Sequence, residues 1–189
     1  MIEAVVFDWG DTVMCDFRAY EGPMASWPLV EAVAGVEEVL RTLHPRYRLA
    51  LATNASDSNE SLVRWALYRV GLNWFFEKVF VSSDLGVEKP DLRFFAAVLA
   101  GLQLPPQQVV MVGDKYVNDV RGAKAAGLWT VWFNPQGGPA PEEATDHDAA
   151  ISELSQLEAA LVDFALRAAQ TDAAVQADPG GSLPTGGRP

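Results

Sequence analysis

The sequence predicts an α/β domain built on a doubly wound parallel sheet of five to six strands with helices on both faces. Three observations carry this. Short, wholly apolar runs rich in β-branched residues recur along the chain, as strands buried on both faces require. Stretches with helical spacing of apolar residues separate them, and that alternation is the signature of parallel strands joined by helical crossovers. Several of the apolar runs stop at an Asp or a Thr, and such sheets gather their ligands at the carboxyl ends of the strands.

The elements follow in order. "AVVFDW" (4–9) reads as the first strand, and "VEAVAGVEEVLRTL" (30–43) as a helix with Val33, Val36, Leu40 and Leu43 on one side. "YRLALAT" (47–53) is a strand. "SNESLVRWALYRVG" (58–71) is a helix with Ser58 and Ser61 as candidate caps and Gly71 as its stop. "KVFVS" (78–82) is a short strand, and "DLRFFAAVLAGL" (91–102) a helix behind Pro90 with Asp91 at its N-cap. "QVVMVGD" (108–114) is another apolar run ending in an acid, followed by a short helix in "VNDVRGAKAAG" (117–127) and a strand in "WTVWFN" (129–134). Beyond a Pro/Gly/acid loop at 135–148, "AAISELSQLEAALVDFALRAA" predicts a final short strand and helix. The domain so drawn is Rossmann-like and spans residues 1–170. The segment 171–189, rich in Gly and Pro and poor in large apolar residues, predicts a disordered tail.

Composition narrows the function classes. With 189 residues and 49% hydrophobic content, the chain suits one domain with a substantial core. The balance of 14 basic against 25 acidic residues, a formal net charge of −11, argues against nucleic acid as a partner, because a phosphate-backbone footprint needs clustered Lys and Arg. Cys15 is the only cysteine, and with His44 and His147 the only histidines there is no zinc cluster. No apolar run reaches the roughly 20 residues of a membrane span, so the expectation is a cytoplasmic protein with no membrane partner.

Asp8, Thr53 and Asp114 each stand where an apolar strand stops, so they should converge at one edge of the sheet. Singly, each candidate has a plain structural reading. Thr53 and Asn54 can cap a helix, Lys89 before Pro90 can be a solvated loop residue, and Asp119 can be a first-turn acid favoured by the helix dipole. Lys115, Asn118 and Trp27 stay open between site and scaffold. Together, however, "FDWGDT" with Asp8, "LATNAS" with Thr53, "VEKPD" with Lys89 and "MVGDKYVND" with Asp114 and Asp119 stand in a definite order. The chain resembles the haloacid dehalogenase superfamily, whose motifs are acid-x-acid-x-Thr after the first strand, Ser/Thr after the second, a Lys, and Gly-Asp-x-x-x-x-Asp. The resemblance covers residues 1 to about 165.

What the resemblance implies is a Mg²⁺-dependent hydrolase, in particular a phosphatase cleaving a phosphate ester or anhydride on a small-molecule or macromolecular substrate. Asp8 would be the nucleophile, forming an aspartyl phosphate and splitting one hard hydrolysis into two displacements. Asp8 and Asp114 with the backbone carbonyl of Gly10 would hold the Mg²⁺, whose charge offsets the repulsion between carboxylate and phosphate. Lys89 would hold the nucleophile and the phosphoryl group, while Thr53 and Asn54 bind the phosphoryl oxygens. Asp119 would orient Lys89 or a metal-bound water.

The departure is at Gly10, where most phosphatases of the family carry a second Asp that protonates the leaving oxygen and later activates water. General acid–base assistance is worth about 10²- to 10⁴-fold. Three accounts stand open: Asp11 substitutes through an altered turn, the natural leaving group needs no proton, or the protein is a catalytically impaired phosphate- or metal-binding regulatory domain. A response-regulator receiver is a further rival, but it would place its phosphorylatable Asp where this chain has "ATNAS". The intervals from Asp8 to Thr53 and from Thr53 to Lys89 are filled by predicted elements, which implies a capless member with segment 14–29 as at most a flap. An open site either accepts a bulky substrate or borrows a lid from another subunit of a homo-oligomer.

Overall fold

The computed structural model describes residues 1–139, 141 and 146–177. Its strands β1 (Ala4–Phe7), β2 (Arg48–Thr53), β3 (Lys78–Val81), β4 (Val109–Gly113), β5 (Trp129–Phe133) and β6 (Ala149–Ile151) form one six-stranded sheet in the order 3-2-1-4-5-6. Every pairing is parallel, with Val5 beside Leu49 and Val110 in the central register. The chain winds outward from β1 to β3, returns across β1 to β4, and winds the other way to β6. The topological switch point is therefore the crevice between β1 and β4, where the Asp8 N–H donates to the Val112 carbonyl at 2.8 Å.

The period of two sorts the strand residues onto two faces. Val5, Phe7, Leu49, Leu51, Val110 and Val112 pack with apolar residues of helices α1 (Val36–Leu43), α2 (Glu60–Arg69) and α6 (Leu157–Ala177). Ala4, Val6, Ala50, Ala52, Val109 and Met111 face α4 (Leu92–Leu102) and α5 (Gly122–Ala125), the small alanines making room for Phe94 and Phe95. No helix among the described residues is long and apolar enough to cross a membrane.

Five local features depart from the sequence expectations. The helix predicted over 30–43 begins only at Val36: Cys15 N–H pairs with the Glu31 carbonyl and Val33 N–H with the Val13 carbonyl, and Gly35 at φ 80° turns the chain into the helix. Helix α2 is capped by neither Ser58 nor Ser61 but by Asn59, whose Oδ1 accepts from Leu62 N–H at 3.0 Å. A one-turn helix, α3 (Ser82–Leu85), went unread; its Asp84 accepts the Glu60 N–H at 2.7 Å, a second cap for α2. The expected helix at 117–127 is a π-helical turn, Tyr116–Arg121, running into α5. At the C-terminus α6 continues to Ala177, because "TDAAVQA" is Ala-rich and breaker-free, so the first part of the expected tail is helical. The remainder, 178–189, lies outside the described residues.

Candidate active site

The switch-point crevice collects the residues that the sequence brought forward. Asp8 lies one residue past β1, Thr53 ends β2, and Asp114 follows β4 directly. Lys89, from the loop before α4, reaches under them. Its Nζ donates to Asp8 Oδ1 at 2.6 Å, Asp119 Oδ1 at 2.7 Å and the Ala52 carbonyl at 2.8 Å, using all three ammonium protons. This cluster is dry: Lys89 is 2% exposed, Asp119 0% and Asp8 7%.

Burial opposes the charge on Lys89, but Asp119 and Asp8 outweigh it and hold the ammonium well into its charged range. Asp119 is pushed up to about 7, chiefly by burial and then by the charge of Asp8, against the pull of Lys89. Asp114 is also raised, first by burial, with Lys115 opposing. One ammonium therefore serves two carboxylates, with a third close by. Oxygen atoms of Asp8, Asp114 and Asp119 all lie within 4.8 Å of one another.

Neighbours fix each group. Asn54 holds Lys89 at two points, its Nδ2 donating to the Lys89 carbonyl and its Oδ1 accepting the Lys89 N–H, both at 2.8 Å. Asn54 is thus positioned as a brace for Lys89 as well as a wall of the cavity. Thr53 Oγ1 accepts the Ala55 N–H at 3.1 Å. Asp119 Oδ2 accepts the Lys115 N–H at 3.0 Å, so both of its oxygens are engaged. The π-helical turn folds Asp119 back over Gly113, where any Cβ would overlap the Asp119 carboxyl; this explains the Gly of the Gly-Asp pair. Asp114 accepts from Lys115 Nζ at 2.7 Å and from the buried Thr12 hydroxyl at 3.3 Å.

The remaining candidates sort by position. Gly10 lines a cavity of about 330 Å³ together with Asp8, Thr53, Asn54, Lys89 and Asp119. Asp11 is exposed, adopts φ 58°, and uses Oδ1 to accept the Asp16 N–H at 3.0 Å. It borders a different, larger cavity of about 950 Å³ that also touches Asp114, Lys115 and Glu153. Lys115 and Asn118 line the smaller cavity. Trp27 does so too, while its Nε1 donates to the Gly22 carbonyl at 2.9 Å and its ring packs against Tyr20 and Phe17. His44 packs edge-on against Phe75, and His147 Nδ1 lies 3.2 Å from the Tyr116 hydroxyl; neither lines the smaller cavity.

Sequence reasoning missed Arg69. Its guanidinium donates to the carbonyls of Ala25 at 3.2 Å and Trp27 at 2.7 Å, with longer bonds to Met24 and Pro28, and so straps the 14–29 flap to α2. A C-terminal helical Arg reads as an ordinary solvated residue, and nothing local signals the strap.

As to chemistry, the donor set suits a hard divalent cation such as Mg²⁺, since all the grouped side-chain atoms are carboxylate oxygens. Asp8 and Asp114 fit the ligand role better than Asp119, whose two oxygens are committed to Lys89 and the Lys115 N–H.

The chain is 35% identical to a glyceraldehyde 3-phosphate phosphatase of Methanopyrus kandleri over 95 residues, 50% of this chain and 41% of that one. It is 36% identical to a phosphoserine phosphatase of Thermus thermophilus over 109 residues, 58% of this chain and 42% of the relative. The chain thus spans about half the length of the curated relatives it matches or less. Among solved structures, an uncharacterized protein from Listeria monocytogenes shares the fold with a TM-score of 0.76 at 24% identity, over 86% of this chain and 98% of that one. The magnesium-bound putative HAD-hydrolase YfnB of Bacillus subtilis does so with a TM-score of 0.70 at 20% identity, over 82% and 96%. Residues 13–127 match the family of haloacid dehalogenase-like hydrolases, and the chain belongs to that family.

Proposed function

We propose that the protein is a Mg²⁺-dependent phosphohydrolase that acts on a phosphorylated small molecule, through an aspartyl phosphate on Asp8. The observation that carries this reading is the Lys89 ammonium at 2.6 Å from Asp8 at the switch point, beside the carboxylate of Asp114. The activities of the relatives, a glyceraldehyde 3-phosphate phosphatase and a phosphoserine phosphatase, support the same substrate class.

In this reading Lys89 fixes Asp8 so that its outer oxygen faces the cavity, and its charge is shared with the arriving phosphoryl oxygens. Asn54 and Asp119 keep Lys89 in place. The Thr53 hydroxyl, whose oxygen already accepts from Ala55, keeps its proton to donate to a phosphoryl oxygen. Asp8, Asp114 and the Gly10 carbonyl would hold the Mg²⁺, which would supply charge neutralisation between the phosphate dianion and the attacking carboxylate. Lys115 then exchanges its bond to Asp114 for one to the phosphoryl group.

The test is phosphate release over a panel of esters and anhydrides with and without Mg²⁺, run beside Asp8→Asn. Metal-dependent turnover lost in a folded Asp8→Asn protein supports the reading, and turnover retained by it refutes the covalent route. Gly10 favours a second reading, a phosphate- or metal-binding regulatory domain. Tight Mg²⁺ binding without release from any substrate on the panel would select it.

A further inference from the structure

We infer that Asp16 is the general acid and base of this site, delivering from six positions downstream the carboxylate that Gly10 cannot carry; the inference rests on the phosphohydrolase reading above. Phosphoryl transfer from an alkyl ester needs a proton donor at the departing oxygen and an acceptor for the incoming water. Four carboxylates line the cavity that holds Asp8: Asp8 itself, Asp119, Asp57 and Asp16. The first two are bound to Lys89, and Asp119 takes the Lys115 N–H as well. Asp57 accepts the Ser58 hydroxyl at 3.1 Å. Among the described residues, the Asp16 side chain has no hydrogen-bond or ion-pair partner, and it is exposed to the solvent that must supply its proton.

Its place follows from the loop. Val13 and Met14 N–H groups both donate to the Trp9 carbonyl and Asp11 N–H donates to the Met14 carbonyl, while Asp11 takes the left-handed conformation that reverses the chain. Asp11 Oδ1 then accepts the Asp16 N–H, which fixes the backbone of Asp16 over Gly10. A Cβ built on Gly10 would lie 3.7 Å from Asp16 Cβ and 3.8 Å from its Oδ2, so the Asp16 carboxylate occupies the space beside that position. A Cβ at Gly10 would meet Asp16 only at ordinary contact distance, so the two positions address the same space from adjacent points of the loop. Asp11 serves as the brace of this turn.

The steps balance. As an Asp8 oxygen forms its bond to phosphorus and the ester P–O bond breaks, the Asp16 carboxyl passes its proton to the departing oxygen, which leaves as an alcohol. The Asp16 carboxylate then takes one proton from a water whose oxygen attacks the aspartyl phosphate, releasing inorganic phosphate and restoring both groups.

The experiment measures kcat/KM with Mg²⁺ across phosphate monoesters from nitrophenyl to alkyl leaving groups, because kcat/KM reports the chemistry only as far as leaving-group departure. Native protein, Asp16→Asn, Asp57→Asn and Asp16→Asn/Gly10→Asp are compared, with circular dichroism confirming the fold of each. Asp16→Asn should lose about 10²- to 10⁴-fold on alkyl phosphates and far less on nitrophenyl phosphate, giving a steeper dependence on leaving-group pKa. The added Gly10→Asp should return much of the alkyl rate. An unchanged alkyl-to-aryl ratio in Asp16→Asn, or the same loss in Asp57→Asn instead, overturns the role of Asp16 while leaving the phosphohydrolase reading intact. Absence of Asp8-dependent turnover in the native protein overturns that reading and this inference with it.

Discussion

Replacing Lys89 with Met tests how the site is held together. The substitution keeps most of the stem volume and removes the ammonium that now contacts Asp8, Asp119 and the Ala52 carbonyl. Two carboxylates, 7% and 0% exposed, then face one another without a countercharge. Breaking a buried pair costs about 3–5 kcal/mol, because the partner is left charged in a dry place or must take up a proton. An exposed pair such as Arg41–Glu37, with side chains 70% and 61% exposed, contributes only about 0–1 kcal/mol. With a urea slope of about 2–3 kcal/mol/M, Lys89→Met should lower the unfolding midpoint by about 1–2.5 M. Lys89→Met/Asp119→Asn should recover part of the loss, since it removes one of the two orphaned charges. A cost below about 1 kcal/mol in metal-free protein would refute the reasoning, because it would mean that water already solvates these carboxylates.

Other consequences are open to the same kind of measurement. Gly113→Ala places a Cβ in the Asp119 carboxyl; it should destabilise by about 1–3 kcal/mol and lower turnover together, and a neutral effect on both in calorimetry and kinetics would show that the turn yields. Asp119 binds its proton more tightly folded, at about 7, than unfolded, at 3.8. Its protonated form therefore adds stability that is fully present below 3.8 and lost as pH rises through about 7, with Asp114 acting in the same direction. Thermal melts of metal-free protein from about pH 5 to about pH 8 should fall more steeply for the native chain than for Asp119→Asn, and parallel curves would contradict the assignment. Arg69→Gln should loosen the flap that carries Trp27, raising KM several-fold with little change in kcat; equal kinetics would show that the flap is held without the strap.

Periodicity and strand-end chemistry made most of the architecture readable. The short apolar runs read as strands covered on both faces, and their ends gather Asp8, Thr53 and Asp114 at one edge of the sheet. What escaped was local competition. Val33 and Val36 share helical spacing, but Val33 is drawn into backbone pairing with Val13, and Gly35 ends the pairing. Ser58 and Asn59 are both good cap residues, and only the tertiary contact of Asp84 with the Glu60 N–H favours the later start. The site was legible as a list of residue types, whereas its shape was not. That Asn54 braces the Lys89 backbone, that Arg69 reaches across to the flap, and that Asp16 returns over Gly10 all depend on contacts between residues distant in sequence or on a left-handed turn at Asp11, for which Asp is tolerated but not required.

The covalent claim itself can be read from mass. Native protein mixed with Mg²⁺ and a turned-over ester, quenched in acid within the first turnovers and digested, should yield the peptide containing Asp8 with one added phosphoryl group. Hydroxylamine should release the group, as it does for acyl phosphates, and Asp8→Asn should yield none. A phosphoryl group found on another residue would contradict the account. So would rapid phosphate release, in a quench series resolving single turnovers, with the Asp8 peptide unmodified throughout.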